Sequence, residues 1–315
     1  MSSLPVRLPP PVGPGDRIGV AALSGPVDPQ RLANGLENLR RLGFEPVLAD
    51  NLTSRRGFLA GTDAERLDAF HRLAADPDLP AILFTRGGHG LLRLLPGIDW
   101  DLLARHPRTY VGYSDLTPFL LGVVRRLGLV AFHGPLVAGE LARGLSPVEE
   151  ASFLDALAGR YPAEQPFASW VRPPRRLNGQ SRAASGPLLG GCLSLLAATA
   201  GTPYFPDLDG SLLFLEEVNE DAYRVDRMLT HLRLSGSLAR LSGMIVGHLG
   251  AFSGGGEPWP ADWAGLLEDS LAGFDWPVAL GLESGHFPPN RTLPLGLPAR
   301  LEEEGRRLVL GAFEP

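Results

Sequence analysis

The sequence predicts an α/β protein whose first half is built on a mainly parallel sheet and whose second half forms a separate domain. Three observations predict this. Apolar strand-like runs alternate with segments of helical periodicity through the first half. The length of 315 residues is about twice the roughly 150 typical of one domain. Residues 160–185 then change character, becoming rich in proline and arginine with weak periodicity, as a connection between domains would be.

Each element has a local reason. Residues 17–23 (RIGVAAL) form a buried strand closed by Ser24-Gly25-Pro26, and residues 28–42 a helix stopped by Gly43. A short strand at 45–48 follows. Residues 63–75 place Leu67, Phe70, Leu73 and Ala74 at helical spacing. The strand AILFT (81–85) runs into Arg86-Gly87-Gly88-His89-Gly90, and 91–95 opens a short helix. Residues 109–112 are a strand meeting Tyr113-Ser114-Asp115, 116–127 a helix, and 130–133 a strand. Strands separated by helices imply a parallel sheet covered on both faces. In the second half, 186–201 reads as a glycine turn entering a helix. SLLFL (211–215) is a strand ending at Glu216-Glu217, and 223–234 a helix with Val225, Met228, Leu229 and Leu232 on one face. Residues 243–246 and 278–282 are strands, and 300–310 alternates weakly.

Composition narrows the chemistry. All 29 basic residues are arginine, so a Walker A lysine, a lysine Schiff base and a Ser-Lys dyad are excluded. The formal net charge is −6 and no basic run exceeds two residues, which argues against nucleic-acid binding. Cys192 is the single cysteine, so there is no internal disulfide and no cysteine-rich zinc site. The remaining histidines lack ligand spacing, and no metal or cofactor is expected. With no apolar run near 18 residues and no apolar leader segment, neither a membrane span nor a signal peptide is expected, and a cytoplasmic location is the default.

Four segments could carry chemistry. Ser114, at a strand-to-helix junction, has the placement of an exposed nucleophile, with the Asp115 amide free to donate to an oxyanion; equally, Ser114 or Asp115 could simply cap the helix. The Arg86–Gly90 turn could bring backbone N–H groups against a ligand beyond the strand ends, or be an ordinary glycine turn. Glu216 and Glu217 alternate across a strand, so only one can face a site; a solvated strand end is the other reading. His286, between Gly285 and Phe287-Pro288-Pro289, could be a base or a surface histidine.

Together these segments resemble the LD-carboxypeptidases, or muramoyltetrapeptide carboxypeptidases, a family that also includes the microcin C immunity peptidases. The resemblance spans roughly residues 13–312. It rests on GDRIGVAALSGPV (15–27), ILFTRGGHG (82–90), VGYSDLT (111–117), FHGP (132–135), LLFLEEVNEDAYRVDRMLTHL (212–232) and GHFPPNRTLPLG (285–296), in that order. Two positions depart from the family pattern: His89 stands where GGYG is common, and Cys192 where GGNL is common.

The resemblance implies an N-terminal α/β domain (1–165, with a connection continuing to about 185) and a C-terminal domain rich in β-structure (166–315), with the active site between them. It implies a serine carboxypeptidase with a triad of Ser114, Glu216 and His286 that releases C-terminal D-alanine from murein tetrapeptides, as in peptidoglycan recycling. The backbone N–H groups of Gly88 and Asp115 would form the oxyanion hole. Arg86 is a candidate for the substrate carboxylate, because arginine pairs with carboxylates bidentately. The expected partner is a small anionic peptide, with no nucleic acid or membrane, and the expected assembly is a homodimer. Two other readings stay open: a microcin-type peptidase cutting a peptide–nucleotide amide, and a non-catalytic small-molecule binding protein.

Overall fold

The computed structural model describes residues 6–161, 163–174, 176–177, 180–181, 184–252, 262–304 and 306–311. The chain divides into two compact units, Met1–Arg160 with Asn290–Gly296, and Tyr161–Pro289 with Leu297–Pro315.

The first unit is an open sheet of β1 (Arg17–Ala21), β2 (Glu45–Leu48), β3 (Ala81–Phe84), β4 (Thr109–Gly112) and β5 (Ala131–His133). The order is β2-β1-β3-β4-β5, and all of these pairs are parallel. β3 and β4 are buried along their whole length, which is why they read as unbroken apolar runs. Helices α1 (Pro29–Arg41), α2 (Asp63–Ala75), α3 (Trp100–Arg105), α4 (Thr117–Leu127) and α5 (Pro147–Leu157) complete the unit. α1 begins with Asp28 accepting from the Arg31 N–H and Pro29 in its first turn. α2 begins with a Thr62–Glu65 capping box. Phe70, Phe84, Tyr110 and Phe119 pack edge-on or tilted against one another between α2, α4 and the sheet. In a sheet of this order the strand sequence reverses between β1 and β3, and ligands bind beyond the strand ends at that crevice.

The second unit holds a closed barrel. Its strands are β6 (Ala163–Arg172), β9 (Ala184–Cys192), β10 (Leu212–Glu216), β11 (Gly243–Val246), β12 (Val278–Leu282), β14 (Pro298–Glu302) and β15 (Arg307–Leu310). The order β10-β11-β12-β6-β15-β14-β9 closes on itself. β9 to β12 are parallel, and the other pairs antiparallel. β7 (Arg176–Leu177) and β8 (Gln180–Ser181) form a small antiparallel pair. Helices α6 (Leu193–Thr199), α7 (Ala222–Leu234) and α8 (Trp263–Ser270) follow β9, β10 and β11 in the chain.

Three sequence expectations need correction. Much of 160–185, read as a connection, is strand: β6 alternates Gln165 and Phe167 inward against exposed Glu164, Pro166 and Ala168, a weak pattern masked by proline. Parts of that stretch lie outside the described residues. Residues 186–192, read as a glycine turn, are the end of β9. A Cβ on Gly186 would lie 2.1 Å from the Gly210 carbonyl oxygen, and one on Gly190 would lie 1.8 Å from that of Phe214, so these glycines serve close backbone approach in a strand. Finally, residues 290–296, placed with the second half, return to the first unit. There β13 (Leu293–Leu295) pairs antiparallel with β5, and the Asn290 N–H donates to buried Glu149 at 2.7 Å.

Candidate active site

In the first unit, Ser114 stands where β4 gives way to α4. Gly112 ends the strand, Tyr113 is extended, and Ser114 takes φ +63° at the head of a one-turn 3₁₀ segment, Ser114–Leu116. An L-residue in that left-handed region costs about 1–2 kcal/mol, so the turn is strained at the serine. This is the strand–turn–helix geometry that lifts a nucleophile clear of a sheet. The Tyr113 hydroxyl donates to buried Glu140 at 2.7 Å, and Glu140 also accepts the Leu136 N–H at 3.0 Å, which anchors the residue before the serine.

The glycine turn after β3 lies directly on Ser114. A Cβ built on Gly87 would sit 2.8 Å from both Cβ and Oγ of Ser114 and 3.4 Å from the Asp115 nitrogen. The Gly25 N–H donates to the Gly87 carbonyl at 3.1 Å. In a trans peptide the next N–H points the opposite way, so that bond turns the Gly88 N–H away from Gly25. Gly88 itself takes φ +110°, which only glycine adopts readily. Asp115 is buried, and one of its carboxylate oxygens accepts the Leu91 N–H at 2.9 Å. Burial pushes its carboxyl above the ordinary range, partly offset by hydrogen bonding and by the nearby charges of His89 and Arg66. Arg86 is exposed and donates to the Pro26 carbonyl at 3.3 Å, alongside Gly25. His89 meets Phe58 edge-on, with 6.1 Å between ring centroids.

In the second unit, His286 Nδ1 lies 2.6 Å from Glu216 Oε2. Glu216 is 0% exposed, while His286 keeps a small exposed fraction. Burial pushes the Glu216 carboxyl up, and the hydrogen bond to His286 opposes it. Gly285, at φ +125°, makes the approach possible: a Cβ there would lie 2.9 Å from Glu216 Oε2. Glu217 points elsewhere. It accepts the Ser194 N–H at 2.7 Å and the Val218 N–H at 2.8 Å, and so caps α6. Cys192 is buried with its Sγ 3.5 Å from Glu217, and burial holds its thiol high. Among the described residues no group of three or more His, Cys, Asp and Glu is placed to hold a metal ion, and no helix is long and apolar enough to cross a membrane.

The structure therefore groups Gly88, Ser114 and Asp115 around the glycine turn of the first unit, with Arg86 at its start. In the second unit it brings Glu216 to His286. Sequence reasoning did not find Gly87 as the residue packed on the serine, nor Gly285 as the gap that admits the imidazole. Both lie in glycine-bearing loops beside the predicted residues, which was the available clue.

The chain matches models for the LD-carboxypeptidase N-terminal domain over residues 18–134 and the LD-carboxypeptidase C-terminal domain over residues 185–301. It is 35% identical over 303 residues to the murein tetrapeptide carboxypeptidase of Pseudomonas aeruginosa, covering 93% of this chain and 94% of that protein. It is 28% identical to the microcin C7 self-immunity protein MccF of Escherichia coli, covering 95% of this chain and 94% of that one. The solved muramoyltetrapeptide carboxypeptidase from Oxalobacter formigenes superposes with a TM-score of 0.84 at 30% identity, over 95% of this chain and 100% of that chain.

Proposed function

The chain belongs to the LD-carboxypeptidase family, and from that premise we propose that it is a serine carboxypeptidase releasing the C-terminal D-alanine of murein tetrapeptides by hydrolysis of an L,D peptide bond. The observation that carries the proposal is the strained serine. Ser114 is held at φ +63° against a glycine whose missing Cβ leaves its hydroxyl open. A binding module gains nothing from that strain, whereas a nucleophile gains exposure and alignment.

The chemistry follows from acyl-transfer logic. Ser114 Oγ attacks the carbonyl of the residue before D-alanine while His286 takes its proton on Nε2. His286 Nδ1–H donates to Glu216, which fixes the tautomer and stabilises the imidazolium. The Gly88 and Asp115 N–H groups receive the negative charge on the carbonyl oxygen, and one such donor is worth about 3–4 kcal/mol. The imidazolium then protonates the leaving amine, D-alanine departs, and a water deprotonated by His286 cleaves the ester on Ser114. Arg86 takes the role of pairing with the substrate's terminal carboxylate. The reading requires Ser114 of one unit to act with Glu216 and His286 of the other.

The test is incubation with a murein tetrapeptide and mass detection of the products. The expected result is equimolar D-alanine and tripeptide. An intact tetrapeptide alongside a cleaved peptide–nucleotide amide would transfer the same triad to the microcin-type reaction.

A further inference from the structure

Arg66 is the largest fully buried side chain among the described residues, at 0% exposure, and it comes from the first turns of α2. A buried guanidinium requires partners for its donors, and two of the acceptors that its terminal nitrogens find lie on the two loops that shape the serine site, the third being Asp63 of its own helix. One terminal nitrogen donates to the Leu23 carbonyl, just before Ser24-Gly25, and to the Gly90 carbonyl at 3.2 Å, at the end of the glycine turn. The other donates to Asp63 at 2.6 Å. Asp63 also holds exposed Arg93 at 2.7 Å, and its carboxyl is lowered to about 2, the Arg93 hydrogen bond being the largest cause. Gly90 has no room for a side chain: a Cβ would lie 2.3 Å from Leu59 and 2.9 Å from the Arg66 guanidinium.

The loops that Arg66 joins are the ones that the Gly25–Gly87 hydrogen bond joins. That bond fixes the carbonyl of the Gly87–Gly88 peptide and hence the direction of the Gly88 N–H. The arginine also reaches the other oxyanion donor indirectly. Asp115 accepts the Leu91 N–H next to Gly90, and the Arg66 charge favours its ionised form.

We propose that Arg66 is a positioning residue for the oxyanion hole: by tying the Leu23 and Gly90 carbonyls together it sets the plane of the Gly87–Gly88 peptide over Ser114. This rests on the reading of Ser114 as nucleophile. Arg66 touches no substrate. Without its planar fork, the Gly90 end of the turn loses its tie to the Leu23 loop, the remaining bonds (Gly25 to Gly87, Arg86 to Pro26 and Leu91 to Asp115) hold the glycines less tightly, and the Gly88 N–H loses its aim.

Arg66→Lys and Asp63→Asn test this. Lysine keeps the charge but cannot serve three acceptors in a fork, and Asp63→Asn loosens the fork from its half-exposed end. Two rates are read on protein shown to be folded by thermal melting. One is kcat and KM for D-alanine release. The other is the second-order rate at which a fluorophosphonate labels Ser114, a reaction that also places an anionic oxygen in the hole. Arg66→Lys is expected to lower kcat and the labelling rate in parallel by roughly tenfold or more, with KM within about twofold, and Asp63→Asn by about threefold. A folded Arg66→Lys enzyme with both rates unchanged, or a rise in KM alone, overturns the proposal. If Arg66→Lys does not fold, Asp63→Asn decides, and wild-type rates there overturn it. If the tetrapeptide is no substrate but Ser114 is labelled, the substrate reading fails and the labelling rates still judge Arg66. If wild-type Ser114 is not labelled, both fall.

Discussion

Replacing the two adjacent glutamates separately should give opposite results. Glu216 is fully buried with His286 Nδ1 at 2.6 Å, and Glu217, the residue after the strand's end, is buried against the start of α6. Glu216→Gln keeps the shape but removes the charge that orients and stabilises the imidazolium. In a triad, that change lowers kcat by about 10⁴-fold, or roughly 5 kcal/mol of barrier. Its effect on stability has the other sign. Burial raises the Glu216 carboxyl above its unfolded value, so stability tied to its proton is present at low pH and is lost as pH rises through the folded value. Glutamine never ionises, so at pH 8 the variant should melt at or above the wild-type temperature. Glu217→Gln reverses the pattern. Glutamine has one acceptor oxygen where the carboxylate serves both the Ser194 and Val218 N–H groups. Losing a charge-assisted bond at the start of α6 should cost about 2 kcal/mol, or roughly 4–8 °C in melting temperature, with the folded protein still active. The assays are calorimetry and D-alanine release on both variants. An active Glu216→Gln enzyme, or an inactive Glu217→Gln enzyme with unchanged melting, refutes the assignment.

Other expectations follow from the same geometry. Ser114→Gly should abolish hydrolysis while leaving the unfolding free energy unchanged or raised by up to about 1 kcal/mol, because glycine accepts φ +63° without strain; marked destabilisation would remove the argument from strain. Gly87→Ala should lower kcat by about 10²-fold or more, since its Cβ would crowd Ser114 Oγ at 2.8 Å; wild-type turnover would show that the turn does not cover the serine. Glu149 should contribute about 3 kcal/mol of stability near neutral pH. Burial alone would raise its carboxyl, but hydrogen bonds from Arg143, the Asn290 N–H and Ser146 hold it at about 2 against 4.5 unfolded. That contribution is lost as pH falls from 4.5 towards 2, and denaturant titrations of Glu149→Gln should show a correspondingly shallower acid dependence. Activity should survive exhaustive EDTA dialysis and fall at acid pH along a single ionisation, because protonated His286 cannot accept the serine proton; recovery of lost activity by zinc would contradict this.

The first unit was legible because its signals are local. β3 and β4 are short, wholly buried strands, the first running into the Arg86–Gly90 turn and the second ending at Gly112, and α2 carries a capping box and a helical stripe. The barrel was harder. β6 contains Pro166, and β9 contains Gly186 and Gly190, whose purpose appears only against Gly210 and Phe214 on neighbouring segments. β13 was missed for a related reason, since a three-residue strand after a proline-rich loop is defined by its partner β5 and not by its own periodicity. At the candidate site, strand alternation separated Glu216 from Glu217 but did not indicate which one meets an imidazole. The left-handed φ of Ser114 and the burial of Arg66 depend on contacts distant in sequence, so nothing in the tetrapeptide GYSD or in α2 alone discloses them.

The central claim is that Ser114 carries the acyl group during release of D-alanine. Rapid-quench intact-mass measurement of the enzyme with excess murein tetrapeptide tests it directly. The account predicts a transient adduct equal to the tripeptide less water, mapped to Ser114, forming with D-alanine release and absent from Ser114→Ala. D-alanine released by Ser114→Ala at the wild-type rate, with no adduct on either protein, would contradict it.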